Sequence, residues 1–140
     1  MADLEGNKRL ARKYLELIGK GDVDGVANMF VENGAIIVQS HTLLPPEVRG
    51  REAIRGLIGM LPGLFPETGL RILVDEVTAE DNRVSIVAHS DAVHASGKKY
   101  QNRYHFLIYF KDGKIVESHE YLDSLYLTNV FFDGAQPPQN

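Results

Sequence analysis

The sequence contains no cysteine and no tryptophan, and its charged residues show no basic excess. Without cysteine, the chain has no disulfides, no thiolate nucleophile and no cysteine-ligated zinc. With 19 acidic and 15 basic residues the formal net charge is -4, and the basic residues are scattered, so we expect no nucleic-acid partner. No apolar run approaches the roughly 18 residues that span a bilayer, so we expect no membrane partner. The charged N-terminus lacks an apolar export signal, which makes the cytoplasm the default expectation.

The length and composition predict one folded domain. The chain has 140 residues, of which 44% are hydrophobic and 24% are charged, close to the average for globular proteins. We expect a single domain over residues 1–133. The last seven residues, 134–140, include Pro137 and Pro138 and have no core-forming pattern, so we expect them to form a flexible tail.

Helical periodicity dominates the first half of the sequence. Apolar residues three and four positions apart predict helices over residues 4–18, 23–30 and 51–61. Asp22 is placed to cap the start of the second helix, and Pro62 is expected to end the third. A β-branched run over residues 35–39 predicts a short strand between the second and third helices.

The second half reads as β-structure. Alternating patterns predict strands over residues 70–78, 84–95, 103–110 and 115–126, and Asp112-Gly113 is a strong hairpin turn signal. Helices followed by a long antiparallel sheet are typical of the α+β class. We therefore expect a curved antiparallel sheet closed by three N-terminal helices, which together form a cone around a deep apolar pocket.

A two-residue turn at Asp112-Gly113 would fix which side chains share a face of the last hairpin. Residues opposite each other would then alternate along one face in these pairs: Phe110 with Ile115, Ile108 with Glu117, Phe106 with His119, Tyr104 with Tyr121, and Asn102 with Asp123.

Asp123 is the candidate acid or base in this arrangement. Among two tyrosines, an asparagine and aromatic rings its carboxylate should be partly desolvated, which raises the pKa towards the range of a general base. Tyr104 or Tyr121 could then donate to an oxyanion. The alternative is structural: Asp123 caps the strand end and bonds Asn102, with no substrate involved.

Several motifs resemble the SnoaL-like and ketosteroid isomerase-like proteins of the nuclear transport factor 2-like superfamily. The matching segments are Tyr14, Gly21-Asp22-x-Asp24-Gly25, Phe30, Gly97-x-x-Tyr100-x-Asn102-x-Tyr104, Asp112-Gly113-Lys114-Ile115 and Glu120-Tyr121-Leu122-Asp123. The resemblance implies a cone-shaped α+β barrel, also called cystatin-like. It further implies a homodimer that packs through the outer face of the sheet, and a pocket that works without a cofactor.

The resemblance also implies roles for individual residues. Asp123 matches the acid/base aspartate of SnoaL-type cyclases, and Tyr14 matches the oxyanion-hole tyrosine of ketosteroid isomerase. The isomerase's catalytic base would fall at Gln39 or a neighbour, and its second oxyanion-hole acid near Tyr104, so neither carboxylate is retained. These departures argue against steroid isomerase chemistry by that mechanism.

The leading hypothesis is a small cofactor-independent isomerase, or a cyclase or lyase, that transfers a proton on a hydrophobic carbonyl compound. Its candidate catalytic residues are Asp123, Tyr104 and His119, and its candidate substrate-binding residues are Tyr14, Asn102, Tyr121, Phe106 and Gln39. One alternative is a non-catalytic module that binds a small ligand or serves as a dimeric assembly unit. Another is an epoxide hydrolase.

No metal is expected. The segment His119-Glu120-Tyr121-Leu122-Asp123 begins like the H-E-x-x-H zinc motif but lacks the second histidine, and a strand would give it the wrong geometry.

Overall fold

The computed structural model describes residues 2–138, and within this range the chain forms helices on one side of a mixed β-sheet. The helices are α1 (Leu4–Lys20), α2 (Val23–Asn28), α3 (Arg51–Leu64) and α4 (Ser124–Phe131). The strands are β1 (Phe30–Val38), β2 (Glu47–Arg49), β3 (Ile72–Glu80), β4 (Arg83–Ser90), β5 (Ala92–Val93), β6 (Lys99–Tyr100), β7 (Arg103–Lys111) and β8 (Lys114–Leu122).

The main sheet has six strands in the order β2-β1-β8-β7-β4-β3. Its neighbours are antiparallel except for β1 and β8, which run parallel. The predicted α+β architecture with a curved sheet is confirmed, and the one parallel pair is an addition to it. It arises because β1, which comes before the long hairpins in the chain, pairs beside the last strand rather than at an outer edge.

Local signals explain most helix boundaries. The Asp3 carboxylate caps α1 by accepting from the backbone N–H of Gly6 at 2.8 Å, and Gly21 ends α1 in a left-handed conformation. Asp22 caps α2 as predicted, accepting from the N–H of Gly25 at 3.0 Å. Helix α3 continues past Pro62 to Leu64, beyond its predicted end. The burial of Leu61 in this last turn, with Phe65 just after it, holds the turn against the core.

The last strand is shorter than predicted, and a fourth helix replaces its end. Strand β8 ends at Leu122, and the Asp123 carboxylate accepts from the backbone N–H of Tyr126 at 3.1 Å, which caps α4. The apolar run that followed Asp123 was read as strand because its residues suit either a buried strand or a short buried helix. The cone is therefore closed by α4 together with the three predicted N-terminal helices.

The predicted pairing of the last hairpin is wrong beyond its first pair. Phe110 pairs with Ile115 as expected, but Tyr109 pairs with Glu117. Val116 is an extra, bulged residue, which shifts every later pair by one position. Because side chains alternate along a strand, the shift exchanges the inner and outer faces of the rest of β8.

The core lies between the concave face of the sheet and the helices. Helix α1 packs on β3 and β4, while α3 packs on β1 and β2. The largest fully buried side chains include Tyr14, Tyr100, Phe30, Phe65 and Phe106.

The described part of the chain ends without a regular element. Residues 135–138 have no regular secondary structure, and Gln139 and Asn140 of the predicted tail lie outside the described residues. The single-domain boundary at residue 133 stays a prediction. Over residues 2–138, none of the helices combines the length and apolarity needed to cross a membrane.

Gly69 gives a test of the packing between α1 and the start of the sheet. Its φ is +69°, and a Cβ at this position would collide with the carbonyl oxygen of Gly19. Gly97 also has a positive φ, +88°, but nothing lies within 4 Å of an added Cβ. Gly97→Ala should cost about 1 kcal/mol of unfolding free energy from backbone strain alone, and Gly69→Ala should cost about 1–3 kcal/mol more because the backbone must move. Urea unfolding measures both, and equal losses would contradict the close approach.

Candidate active site

A cavity of about 150 Å³ lies between the concave face of the sheet and helices α3 and α4. Its wall is almost entirely aliphatic and aromatic, and its two polar members are Tyr104 and Glu120. The remaining lining residues are Ile18, Ile36, Val38, Leu44, Pro45, Leu57, Ile58, Met60, Leu61, Leu64, Leu70, Ile72, Leu122, Leu127 and Phe131. Apolar pockets with a few placed polar groups are typical ligand sites.

Glu120 is the charged residue of this cavity wall. It pairs with Val38 of β1 on one side and with Phe106 of β7 on the other, so both neighbouring strands hold it near the middle of the sheet. Its carboxylate forms no hydrogen bond or ion pair to any other side chain within residues 2–138. Burial among apolar groups raises the pKa of Glu120 to about 7, because the interior stabilises a carboxylate ion poorly.

Tyr104 is the second polar group of the cavity wall. Its ring stacks on Phe106 with 5.2 Å between the ring centroids and 8° between the planes. Its hydroxyl lies 2.9 Å from the Tyr100 hydroxyl. Burial raises the pKa of Tyr100 to about 12 and the pKa of Tyr104 well above its usual value. Both phenols therefore keep their protons at neutral pH.

Asn102 lies behind the two tyrosines and does not line the cavity. It is fully buried, and its side-chain amide bonds to Tyr100 and to the backbone of Arg103 and Asp123. The structure therefore brings Asn102 into the site as a support rather than as a contact for a ligand.

Tyr14 and Ser118 form a second buried polar group near Glu120. Their hydroxyls lie beside each other, but neither has a hydrogen bond of acceptable geometry to a residue in the range 2–138. Burial raises the pKa of Tyr14 far above its ordinary value, and the nearby Glu120 charge adds to the effect. Tyr14 packs edge to face on Phe30 and does not line the cavity, so it is not placed as a ligand contact here.

Asp123 lies outside the cavity, and the expected partial desolvation of its carboxylate is wrong. The residue is exposed, and its side chain caps α4. Its contact with Asn102 is made by the backbone N–H and C=O instead of the carboxylate. The structural alternative considered for Asp123 describes this position better, although the capped element is a helix.

His119, Tyr121 and Gln39 lie on the other side of β8 from Glu120. His119 bonds to Glu117 at 3.0 Å and to Gln39 at 3.1 Å, and none of these three residues lines the cavity. Tyr121 is 45% exposed. The bulge at Val116 explains this placement, since it turns positions 117, 119 and 121 outwards and 118, 120 and 122 inwards. Of the predicted site residues, Tyr104 thus lines the cavity, Phe106 is buried against the Tyr104 ring without lining the cavity, and Asn102 lies behind them.

Sequence reasoning missed Glu120 because a bulge in β8 leaves no clear sequence signal. Both phases of β8 mix polar and apolar residues, so the alternation itself does not select the inner face. The one available signal was indirect. Glu120 belongs to the family-like motif Glu120-Tyr121-Leu122-Asp123, in which it is the other carboxylate besides Asp123. Within residues 2–138, no group of three or more His, Asp or Glu side chains is arranged to hold a metal ion.

A sequence profile of the SnoaL-like domain matches residues 11–118, about three quarters of the chain. The chain belongs to the SnoaL-like domain family. The match includes Tyr14, Asn102 and Tyr104 and ends just before Glu120. A search of curated protein sequences finds no match.

Solved structures support the same fold for this SnoaL-like protein. A proposed isomerase from Bacillus subtilis is 22% identical with a TM-score of 0.83, covering 97% of this chain and 99% of its own. An NTF2-like protein from Burkholderia pseudomallei is 16% identical with a TM-score of 0.80, covering 94% and 99%. A proposed SnoaL-like polyketide cyclase from Jannaschia sp. CCS1 is 21% identical with a TM-score of 0.72, covering 99% and 98%. The predicted family and its nuclear transport factor 2-like fold are confirmed.

The raised pKa of Glu120 predicts an unusual pH dependence of stability. The carboxyl group ionises near 4.5 in the unfolded chain and near 7 in the folded one. Between these values the folded state holds a proton that the unfolded state has lost, so stability falls as pH rises. The loss should be on the order of 3 kcal/mol by pH 8.

Chemical unfolding of wild type, Glu120→Gln and Glu117→Gln between pH 5 and pH 8 measures this effect. Glu120→Gln should remove the decline. Glu117→Gln is the matched control on the outer face, where His119 and Arg49 hold the pKa of Glu117 below its usual value. It should retain the decline. If wild type and Glu120→Gln show the same dependence of stability on pH, Glu120 is already ionised at pH 5.

Proposed function

We propose that this SnoaL-like protein is a cofactor-independent isomerase or cyclase that transfers a proton on a small hydrophobic carbonyl compound. Glu120 is the general base and acid of this reaction. The observation that carries the proposal is the carboxylate of Glu120, unpaired and facing an apolar cavity, with a pKa of about 7. A general base is most effective when its pKa lies near the working pH.

The chemistry follows from the two polar groups of the cavity wall. The ionised Glu120 removes a proton from the carbon next to the carbonyl group, and the negative charge moves to the carbonyl oxygen as an enolate forms. The Tyr104 hydroxyl donates a hydrogen bond to that oxygen, and this bond is strengthened by the apolar wall around it. Protonated Glu120 then returns the proton to a second carbon, which completes an isomerisation.

The size of the cavity limits the substrate. A volume of about 150 Å³ suits a molecule with about one ring, comparable with a cavity that binds benzene. Met60 is 59% exposed and also lines the cavity, so it lies at the rim, where a larger substrate could extend. The aliphatic wall favours a hydrocarbon skeleton because it offers no charged partner other than Glu120.

The names of similar structures agree with this class of reaction. One of them is a proposed isomerase and another a proposed polyketide cyclase, although the identities of 22% and 21% establish only a shared fold. The epoxide hydrolase alternative has less support, because the residues lining the cavity include neither a second acid nor an arginine. A module that only binds a ligand would use the same cavity but would not need an ionisable group in it.

The activity test uses cyclohex-3-enone, a one-ring ketone whose conversion to the conjugated cyclohex-2-enone is followed by ultraviolet absorbance. Wild type should catalyse the conversion, and kcat/KM should rise with pH and level off above about 7 as Glu120 ionises. Glu120→Gln should lose on the order of a hundredfold or more in rate, because it removes the proton acceptor.

Two carboxylate variants are the matched controls. Glu117→Gln alters the outer face of the same strand, and Asp123→Asn alters the cap of α4. Both should stay within about threefold of wild type, since neither residue contacts the cavity. If Asp123→Asn loses activity and Glu120→Gln keeps it, Asp123 is the acid or base and the assignment to Glu120 is wrong. If wild type itself matches an uncatalysed blank while the ketone still binds, the binding-module alternative holds.

The homodimer and the cytoplasmic location are also proposals. The outer face of the sheet exposes four large apolar or aromatic side chains: Leu73, Val87, Tyr109 and Tyr121. Exposed apolar patches of this kind mark protein–protein interfaces. We expect analytical ultracentrifugation to give a dimer mass for wild type. The double variant Val87→Lys and Tyr121→Lys should shift the protein towards monomer, because it places charges on that face. The matched variant Leu125→Lys, on the exposed side of α4, should leave the dimer unchanged.

A further inference from the structure

We infer that a hydrogen-bond chain from Asn102 through Tyr100 forces the Tyr104 hydroxyl to donate into the cavity. The cavity therefore selects ligands that present a hydrogen-bond acceptor at this point, which is the carbonyl class. This inference rests on the proposed function for the identity of the reaction. The direction of the hydrogen bonds, however, can be tested by binding alone.

The hydrogen-bond chain begins at the side-chain amide of Asn102, whose orientation is fixed. The Asn102 Oδ1 accepts from the backbone N–H of Arg103 at 2.7 Å and of Asp123 at 3.2 Å. Its Nδ2 lies 3.0 Å from the backbone carbonyl oxygen of Asp123. A backbone N–H only donates and a backbone C=O only accepts, so the amide cannot be reversed.

The second Nδ2 proton of Asn102 points at Tyr100. The Nδ2 lies 2.9 Å from the Tyr100 hydroxyl oxygen, so this oxygen accepts. The pKa of Tyr100 is raised to about 12, so the hydroxyl also carries its own proton at neutral pH. The acceptor within reach of that proton, among residues 2–138, is the Tyr104 hydroxyl oxygen at 2.9 Å. Tyr100 therefore donates to Tyr104.

Tyr104 is the last residue of the hydrogen-bond chain. Its oxygen is occupied as an acceptor by Tyr100, and its own proton has no acceptor among the other described side chains or backbone groups. Its side chain lines the cavity beside Glu120. The unspent proton is therefore available to a ligand in the cavity. A buried donor without a partner is costly, which favours a ligand that accepts from it.

The consequence is a cavity with one donor and one acceptor at neutral to mildly alkaline pH. Tyr104 supplies the donor, and ionised Glu120 supplies the acceptor. A ketone fits this arrangement, since its oxygen accepts a hydrogen bond from Tyr104 while a C–H next to its carbonyl group lies where Glu120 can remove the proton. Asn102 and Tyr100 do not touch the ligand. They are positioning residues that set the direction of the Tyr104 proton.

Four variants distinguish the effect of reversing the hydrogen-bond chain from the effect of merely losing a side chain. Tyr104→Phe removes the donor, and Tyr100→Phe removes the group that occupies the Tyr104 oxygen. Asn102→Asp places an oxygen acceptor next to Tyr100, which reverses the chain and turns the Tyr104 proton away from the cavity. Tyr126→Phe is the matched control, because its hydroxyl bonds to the backbone of Gln101 and Lys99 and takes no part in the chain.

The binding probes are cyclohexanone labelled with ¹³C at its carbonyl and methylenecyclohexane, which replaces the oxygen with a CH₂ group. In wild type, the infrared carbonyl band of bound cyclohexanone should lie at lower frequency than in hexane. Tyr104→Phe and Asn102→Asp should return it towards the hexane value, Tyr100→Phe should give an intermediate shift, and Tyr126→Phe should match wild type. Tyr104→Phe should weaken cyclohexanone binding about threefold to tenfold and leave methylenecyclohexane binding unchanged.

Kinetics with cyclohex-3-enone provide a second readout. Tyr104→Phe and Asn102→Asp should lower kcat on the order of a hundredfold with little change in KM, because the hydrogen bond strengthens as charge develops on the oxygen. Tyr100→Phe should lower kcat about threefold to tenfold. A variant with only a structural defect would change thermal stability without moving the infrared band of the ketone that it still binds.

Several outcomes would overturn the inference. The first is a carbonyl band of bound cyclohexanone that is not shifted in wild type. The second is a shifted band that Tyr104→Phe leaves in place. The third is a band that stays at the wild-type frequency in both Tyr100→Phe and folded Asn102→Asp. If Asn102→Asp does not fold, Tyr100→Phe decides. If the bands shift as expected but no variant, wild type included, converts cyclohex-3-enone, the proposed isomerisation of this ketone fails while the direction of the chain stands.

Discussion

The site depends on one irregularity in the final strand, the bulged Val116 of β8. Between Phe110 and Tyr109 the pairing with β8 shifts by one residue, and from that point the inward positions are 118, 120 and 122. A bulge bends its strand and increases its twist, which suits a strand that lies at the centre of a curved sheet. Without it, Glu117, His119 and Tyr121 would face the apolar interior, and Glu120 would be solvated.

The position of Glu120 on the cavity wall lowers the stability of the folded state. An unpaired carboxylate on an apolar wall destabilises the folded chain at any pH where it is ionised, and no neighbouring side chain compensates it. The rest of the core offsets this cost with a continuous set of buried aliphatic and aromatic residues from both the helices and the sheet. A strained or destabilised group that the fold nevertheless holds in a cavity is a common property of functional sites.

The polar part of the site is built in layers. Glu120 and Tyr104 face the cavity, Tyr100 lies behind Tyr104, and Asn102 links Tyr100 to the backbone at the junction of β8 and α4. Asp123, which caps α4, is part of that junction through its backbone and not through its carboxylate. Asn102 and Asp123 are therefore in contact, through the Asn102 amide and the Asp123 backbone and not through the predicted strand pairing.

Local sequence patterns established the α+β class, the first three helices and the final hairpin turn, because periodicity, capping residues and turn residues act over a few neighbouring positions. The family followed from motifs that resemble those of SnoaL-like proteins. The structure places the candidate residues Tyr104 and Phe106 on the inner face, where the burial of β7 alternates regularly. Which carboxylate faces the cavity, in contrast, depends on tertiary contacts. That choice follows from a single extra residue in β8 and from the pairing of β8 with β1 and β7, and these strand contacts join residues far apart in the chain. For the same reason, the replacement of the end of the predicted strand by α4 could not be read from a run of apolar residues that suits either element.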